Sequence, residues 1–161
     1  MDILKDSFGR VHDYLRISLT EKCNLRCTYC MPADGVPLTP KDQLMTATEI
    51  DEIATTFVGL GVKKIRLTGG EPLVRKDFKD ILYSLKKTGA DISITTNGLL
   101  IDRYIDDFEK VGMSSVNVSL DSLDEKKFFQ ITRMDKFQKV MSNIELLLDR
   151  GFHVKLNVVA T

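Results

Sequence analysis

Five short segments of this chain alternate apolar and polar residues with a period of two, and the stretches between them carry apolar residues at helical spacing. The segments run from Leu15 to Leu19, Lys63 to Thr68, Ile92 to Thr96, Ser115 to Leu120 and His153 to Val159. Strands show that period because successive side chains leave opposite faces. Helices are expected between them, over about Ala47 to Leu60, Lys76 to Lys87, Asp102 to Val111 and Asp124 to Arg150, the last broken near Thr132 to Asp135. Thr46-Ala-Thr-Glu49 reads as a capping box opening the first helix, and Gly61, Gly89, Gly112 and Gly151 each stand where a helix hands over to a strand. Residues Met31 to Leu44, with Pro32, Gly35, Pro37 and Pro40, read as irregular connection. A repeated βα unit implies parallel strands, right-handed crossovers and helices on the outside. With 161 residues and no low-complexity tract, residues 1-161 read as one domain.

The alternation also limits how the sheet is covered. A parallel sheet with helices on both faces has near-continuous apolar strands, whereas one face here carries Leu15, Ile17, Leu19, Ile65, Leu67, Ile92, Ile94, Val116, Val118, Leu120, Val154, Leu156 and Val158. The other carries Arg16, Ser18, Lys64, Arg66, Thr68, Ser93, Thr95, Asn97, Asn117, Ser119, Asp121, Lys155 and Asn157. The apolar face must hold the helices, so the polar face lines an interior. An α/β fold whose (βα) repeats curve into an incomplete barrel of about five strands satisfies both demands. Arg16, Lys64, Arg66 and Lys155 face that lumen against one acid, Asp121, in a chain of zero net charge. Four cations around a low-dielectric cavity call for a polyanion, and a guanidinium fork suits phosphate oxygens. The bland reading is that some of these side chains snorkel to water from strand ends.

All three cysteines fall in Cys23-Asn-Leu-Arg-Cys27-Thr-Tyr-Cys30, just after the first strand. Such a triplet on one short loop can bring three thiolates to one metal centre. A four-iron four-sulfur cluster held by three thiolates keeps one iron free of protein ligands, which makes a place for chemistry rather than simple electron carriage. A structural zinc would want a fourth ligand, and the only histidines, His12 and His153, lie far off in sequence. Ordinary buried thiols are the other alternative. The 23 basic and 23 acidic residues cancel, which suggests neither nucleic-acid nor membrane binding. No apolar run spans a bilayer, Met1 to Arg10 is too polar for a secretory signal, and three cysteines in one loop argue for a reducing compartment. The chain is read as cytoplasmic.

Further polar groups gather at the strands' C-terminal ends, where α/β barrels place their active sites. Thr68-Gly69-Gly70-Glu71-Pro72 follows the second strand, and its two glycines let a ligand approach bare backbone. Thr95-Thr-Asn97-Gly98 ends the third strand and Asn117-Val-Ser119-Leu-Asp121 the fourth, offering donors and acceptors for a ribose or a base. Ser122, with Glu125 three residues on, reads as a helix cap.

Cys23, Cys27 and Cys30, with Tyr29 before the last, resemble the cluster loop of the radical S-adenosylmethionine (SAM) enzymes. The resemblance implies a partial TIM barrel and a 4Fe-4S cluster whose open iron is chelated by SAM. It also implies SAM cleavage to a 5′-deoxyadenosyl radical, fed by a flavodoxin- or ferredoxin-type electron donor. Gly69-Gly70-Glu71 looks like the turn that receives the SAM amino group. Within these enzymes, Leu15 to Pro32, Gly61 to Pro72, Thr95 to Gly98, Asn117 to Asp121 and Val154 to Asn157 resemble the GTP 3′,8-cyclases of molybdenum cofactor biosynthesis. By that likeness Tyr29, Gly69, Gly70, Glu71 and Ser119 meet SAM, and Arg16, Arg66, Thr95 and Lys155 meet GTP. The reaction so implied takes the ribose C3′ hydrogen of GTP and joins that carbon to C8 of guanine. Members of that group run much longer and carry a second cluster on further cysteines, of which this chain has none. The chain is therefore read as an N-terminal portion, expected to bind cluster and SAM without full turnover and to self-associate through an exposed sheet edge. A radical SAM enzyme modifying a peptide, and a non-catalytic iron-sulfur domain, stay open as alternatives.

Overall fold

The computed structural model of the chain describes residues 4–159. Five parallel strands, β1 (Tyr14–Ser18), β2 (Lys64–Thr68), β3 (Asp91–Thr96), β4 (Ser115–Ser119) and β5 (His153–Asn157), lie side by side in chain order. The crossovers contain α1 (Ala47–Gly59), α2 (Phe78–Lys86), α3 (Ile105–Lys110), and the pair α4 (Glu125–Thr132) and α5 (Phe137–Asp149). Sequential parallel pairing through helical crossovers is the winding of an α/β barrel wall. The expected α/β class and partial barrel are what the chain forms.

The helices cover one face of this sheet. Ile17, Ile65, Leu67, Ile92, Ile94, Val116 and Val118 are buried with Ile50 and Ala54 of α1, Phe78, Ile81, Leu82 and Leu85 of α2, Phe108 of α3, and Val140 and Leu147 of α5. Each large apolar side chain so buried stabilises the fold by roughly 1.5–3 kcal/mol. On the other face Arg16, Ser18, Lys64 and Lys155 are exposed, and Arg66, Thr68, Thr95 and Ser119 are partly so. The ladders set Arg16 beside Arg66, and place Thr95, Asn117 and Lys155 in one row.

Local signals account for most element ends. Thr46 and Glu49 form the reciprocal capping box, with Glu49 N–H donating to Thr46 Oγ1 at 3.2 Å and Thr46 N–H to Glu49 Oε2 at 2.7 Å. Tertiary contacts decide the exceptions. The second helix begins at Phe78 rather than Lys76, because Arg75 is drawn into the turn, where it bonds Asp77, Leu19 O at 2.7 Å and Met45 O at 2.6 Å. The expected helix from Asp102 to Val111 is split at Tyr104, whose backbone (φ −126°) leaves helical space while its ring packs edge-on against Phe78. The expected break in the last helix falls at Arg133, which is left-handed at φ 57°. Asp124 caps α4 by accepting from Lys127 N–H at 2.8 Å, whereas Ser122, expected to cap, accepts from Asp124 N–H. Strand β5 ends at Asn157, short of the expected Val159.

Candidate active site

The loop between β1 and α1 carries the cysteines, and three neighbours shape it. From α4, Arg26 N–H donates to Thr132 O at 3.2 Å, Thr28 N–H to Ile131 O at 2.8 Å, and the Arg133 guanidinium to Arg26 O and Met31 O. From the turn after β2, Gly70 N–H donates to Thr20 O at 2.6 Å and Glu71 N–H to Lys22 O at 2.8 Å. From the segment just after β4, Asp121 accepts the Tyr29 hydroxyl at 2.8 Å. The result is one cavity at the C-terminal ends of the strands, lined by Cys23, Cys27, Cys30, Tyr29, Arg16, Gly69, Gly70, Thr95, Asn97, Ser119 and Asp121 among others.

Nine of the twelve residues expected in the site therefore meet in one cavity; Glu71, Arg66 and Lys155 do not line it. Glu71 is buried behind the wall, where Oε1 accepts from Leu73 N–H at 3.1 Å and Thr96 Oγ1 at 2.8 Å, and Oε2 from Asn97 N–H at 2.7 Å. Burial pushes its carboxyl up to about 7 against the pull of those three donors. The Gly-Gly-Glu turn thus braces the cysteine loop against β3. Its glycines answer the same need, because a Cβ on Gly69 would stand 2.4 Å from Thr20 O and one on Gly70 2.4 Å from Glu21 O. The chain's own backbone makes the close approach expected of a ligand, although both glycines also face the cavity.

Arg66 lies beside Arg16 across the β1–β2 ladder, donating to Ser93 Oγ at 3.2 Å with its guanidinium 5.5 Å above the Tyr14 ring. Lys155 stands on β5 next to Asn117. Among the described residues none of Arg16, Lys64, Arg66 or Lys155 has a carboxylate within ion-pair distance. On the same face, Asn117 is buried and its Oδ1 has no hydrogen-bond partner among the described residues, a vacancy that a native interior seldom leaves.

The thiols are electrostatically crowded. Burial pushes Cys27 up to about 12, helped by the negative charges that Cys30, Cys23 and Asp121 would carry. Cys23 is raised by burial as well, although Leu25 N–H at 3.4 Å and Asn97 Nδ2 at 3.8 Å donate to its sulfur. Burial and the Asp121 carboxylate also hold the Tyr29 phenol protonated well above its usual range. Three thiolates on this loop would need a cation among them. Among the described residues no three Cys, His, Asp or Glu side chains converge tightly enough to hold a single ion. Four irons spread over a cluster take ligands set farther apart than one tetrahedral ion does.

Comparison with known proteins gives this arrangement its family. The model of the Radical SAM superfamily matches residues 17–161. The chain belongs to the radical SAM superfamily. Human molybdenum cofactor biosynthesis protein 1 is 52% identical over 159 residues, which are 97% of this chain and 25% of that protein. The mitochondrial GTP 3′,8-cyclase of Arabidopsis thaliana is 49% identical over 98% of this chain and 41% of its own length. The GTP 3′,8-cyclase of Listeria monocytogenes is 45% identical over 99% of this chain and 49% of its own. The chain thus spans half or less of the curated relatives it matches. Among solved structures, Streptococcus suis SuiB bound to the precursor peptide SuiA superposes with a TM-score of 0.79 at 23% identity, covering 92% of this chain and 33% of that one. The SAM-bound anSMEcpe gives 0.73 at 21% identity over 92% and 43%. Both share the fold. The donor set on the cavity, three thiols and no histidine, fits the cluster that the family implies.

Proposed function

We propose that the chain forms the cluster- and SAM-binding wall of a radical SAM enzyme that acts on GTP in molybdenum cofactor biosynthesis. The observation that carries this reading is one cavity in which all three thiols meet Arg16, Thr95 and Ser119, on a sheet face whose four cations lack carboxylate partners among the described residues. Cys23, Cys27 and Cys30 would hold a 4Fe-4S cluster, which when bound supplies the electron that cleaves SAM. Tyr29, Gly69, Gly70 and Ser119 would line the SAM side. Glu71 would act from behind by fixing the turn. Arg16 and Arg66, adjacent on β1 and β2, would take phosphate oxygens, with Lys155 and Thr95 along the same face. The unpartnered Asn117 Oδ1 in that row would accept from a ribose hydroxyl or a base N–H. Holding GTP by its phosphates would fix the ribose, so that position selects the hydrogen lost. The low-potential donor would be a flavodoxin- or ferredoxin-type protein, and the compartment the cytoplasm. Among the described residues no helix is long and apolar enough to cross a membrane.

The test is anaerobic reconstitution followed by ligand titration. One four-iron cluster per chain is expected, with a paramagnetic spectrum that changes when SAM is added. GTP should bind more tightly than guanosine, and Arg16→Ala should weaken GTP by roughly one to two orders of magnitude, since a charged hydrogen bond contributes about 1.5–3 kcal/mol, while SAM is nearly untouched. Zinc in place of iron, or a spectrum blind to SAM, would sink the radical SAM part of the reading. Equal affinity for GTP and guanosine would sink the GTP part and favour a peptide-modifying enzyme.

A further inference from the structure

Asn97, the residue that follows β3, has every polar group of its side chain committed, and it is buried. Its backbone N–H is held by Glu71 Oε2 at 2.7 Å, and its Oδ1 accepts from Leu99 N–H at 3.1 Å. Because a backbone N–H can only donate, the Leu99 contact decides which end of the carboxamide is oxygen. The two hydrogens of Nδ2 must then face the cysteine loop. There Nδ2 donates to Asn24 Oδ1 at 2.7 Å and lies 3.8 Å from Cys23 Sγ. Leu25 N–H adds a second donor to that sulfur at 3.4 Å. Among the described residues neither Cys27 nor Cys30 has an N–H donor on its sulfur, so Cys23 is singled out.

Resting on the reading that Cys23 ligates an iron-sulfur cluster, we propose that Asn97 is a positioning residue that sets the cluster's reduction potential by hydrogen-bonding the Cys23 sulfur. A donor aimed at a ligating sulfur stabilises negative charge there, and a reduced cluster carries one charge more than an oxidised one. The Asn97 amide therefore eases reduction. The Gly-Gly-Glu turn acts through it, since Glu71 anchors the Asn97 backbone and so aims the amide. Sequence spacing cannot reveal this contact, because Asn97 meets Cys23 only when β3 lies two strands from β1 in the folded sheet.

The experiment is a potentiometric titration of the reconstituted 161-residue chain, followed by electron paramagnetic resonance, in the parent, Asn97→Leu and Asn97→Asp. Both variants should take up iron at the parent ratio and shift the midpoint to more negative potential, Asp further than Leu because it adds charge. Iron uptake equal to the parent with unchanged midpoints would overturn the inference and leave the cluster reading standing. Absence of iron from the parent would end both. Should the variants fail to fold, the parent labelled with 15N in asparagine side chains still decides. A labelled nitrogen coupled to the reduced cluster, persisting in Asn24→Asp, supports the proposal, and no such coupling refutes it.

Discussion

A methyl group on Gly70 would stand 2.4 Å from Glu21 O and 2.7 Å from Lys22 O, backbone atoms that cannot retreat while Gly70 N–H and Glu71 N–H bond Thr20 O and Lys22 O. Gly70→Ala should therefore cost about 1–3 kcal/mol by overpacking, and should also lower iron uptake per folded chain, because the displaced segment leads into Cys23. Urea unfolding beside iron analysis checks both, and parent-like values in both would refute the bracing role. The Glu71 carboxyl gives a second test. Its pKa rises from the ordinary 4.5 to about 7 in the fold, so the folded chain binds that proton more tightly than the unfolded chain. The associated stability is fully present below 4.5 and is lost as pH climbs through 7, by an amount on the order of 3 kcal/mol. Glu71→Gln, though less stable overall, should flatten the slope between pH 4.5 and 7; an unchanged slope would assign it to another group. Local spacing shows that two glycines and a carboxylate follow β2. It does not show whether ligand or backbone fills the space above them, because Thr20 to Lys22 lie 49 residues earlier in the chain. Likeness to a family placed Glu71 with SAM, while its three donors place it behind the wall.

The elements that sequence reads well are those closed by their own residues. Thr46 and Glu49 satisfy each other's backbone donors within one turn, and α1 starts at Ala47 as the motif demands. Thr46→Ala should destabilise the chain by about 1 kcal/mol, whereas Ala at Thr48, which makes no cap bond, should be near neutral. Equal effects in urea melts would deny the cap its role. Elements shaped from outside are legible only in part. The helical pattern around Asp102 to Lys110 is sound, yet Tyr104 breaks it in order to pack on Phe78 and donate its hydroxyl to Leu73 O at 3.2 Å. The turn at Arg133 is different. A break was readable near it, but its use was not: the left-handed residue swings its guanidinium onto the carbonyls of Arg26 and Met31, tying the end of α4 to the cysteine loop.

Across the whole molecule, the alternation of the strands matches both the five-stranded parallel sheet and the face on which the candidate cavity opens, and it carries a consequence for association. The apolar face of β1 to β4 is buried under helices, but on β5 and just beyond it Leu156 is 49% and Val158 62% exposed. β4 pairs with only one side of β5, and no described strand pairs with the other. An unpaired parallel edge flanked by exposed apolar residues invites a strand from another chain, and covering the half-exposed Leu156 and Val158 on each partner adds apolar burial of roughly 1 kcal/mol apiece. Prepared as the 161-residue polypeptide, the protein should associate as its concentration rises. Leu156→Lys, which places a charge on that edge while leaving the cavity lining intact, should return it to monomer. Light scattering across a hundredfold dilution decides the matter: a parent that stays monomeric throughout, or a Leu156→Lys variant that associates as the parent does, would show that another surface or none mediates contact.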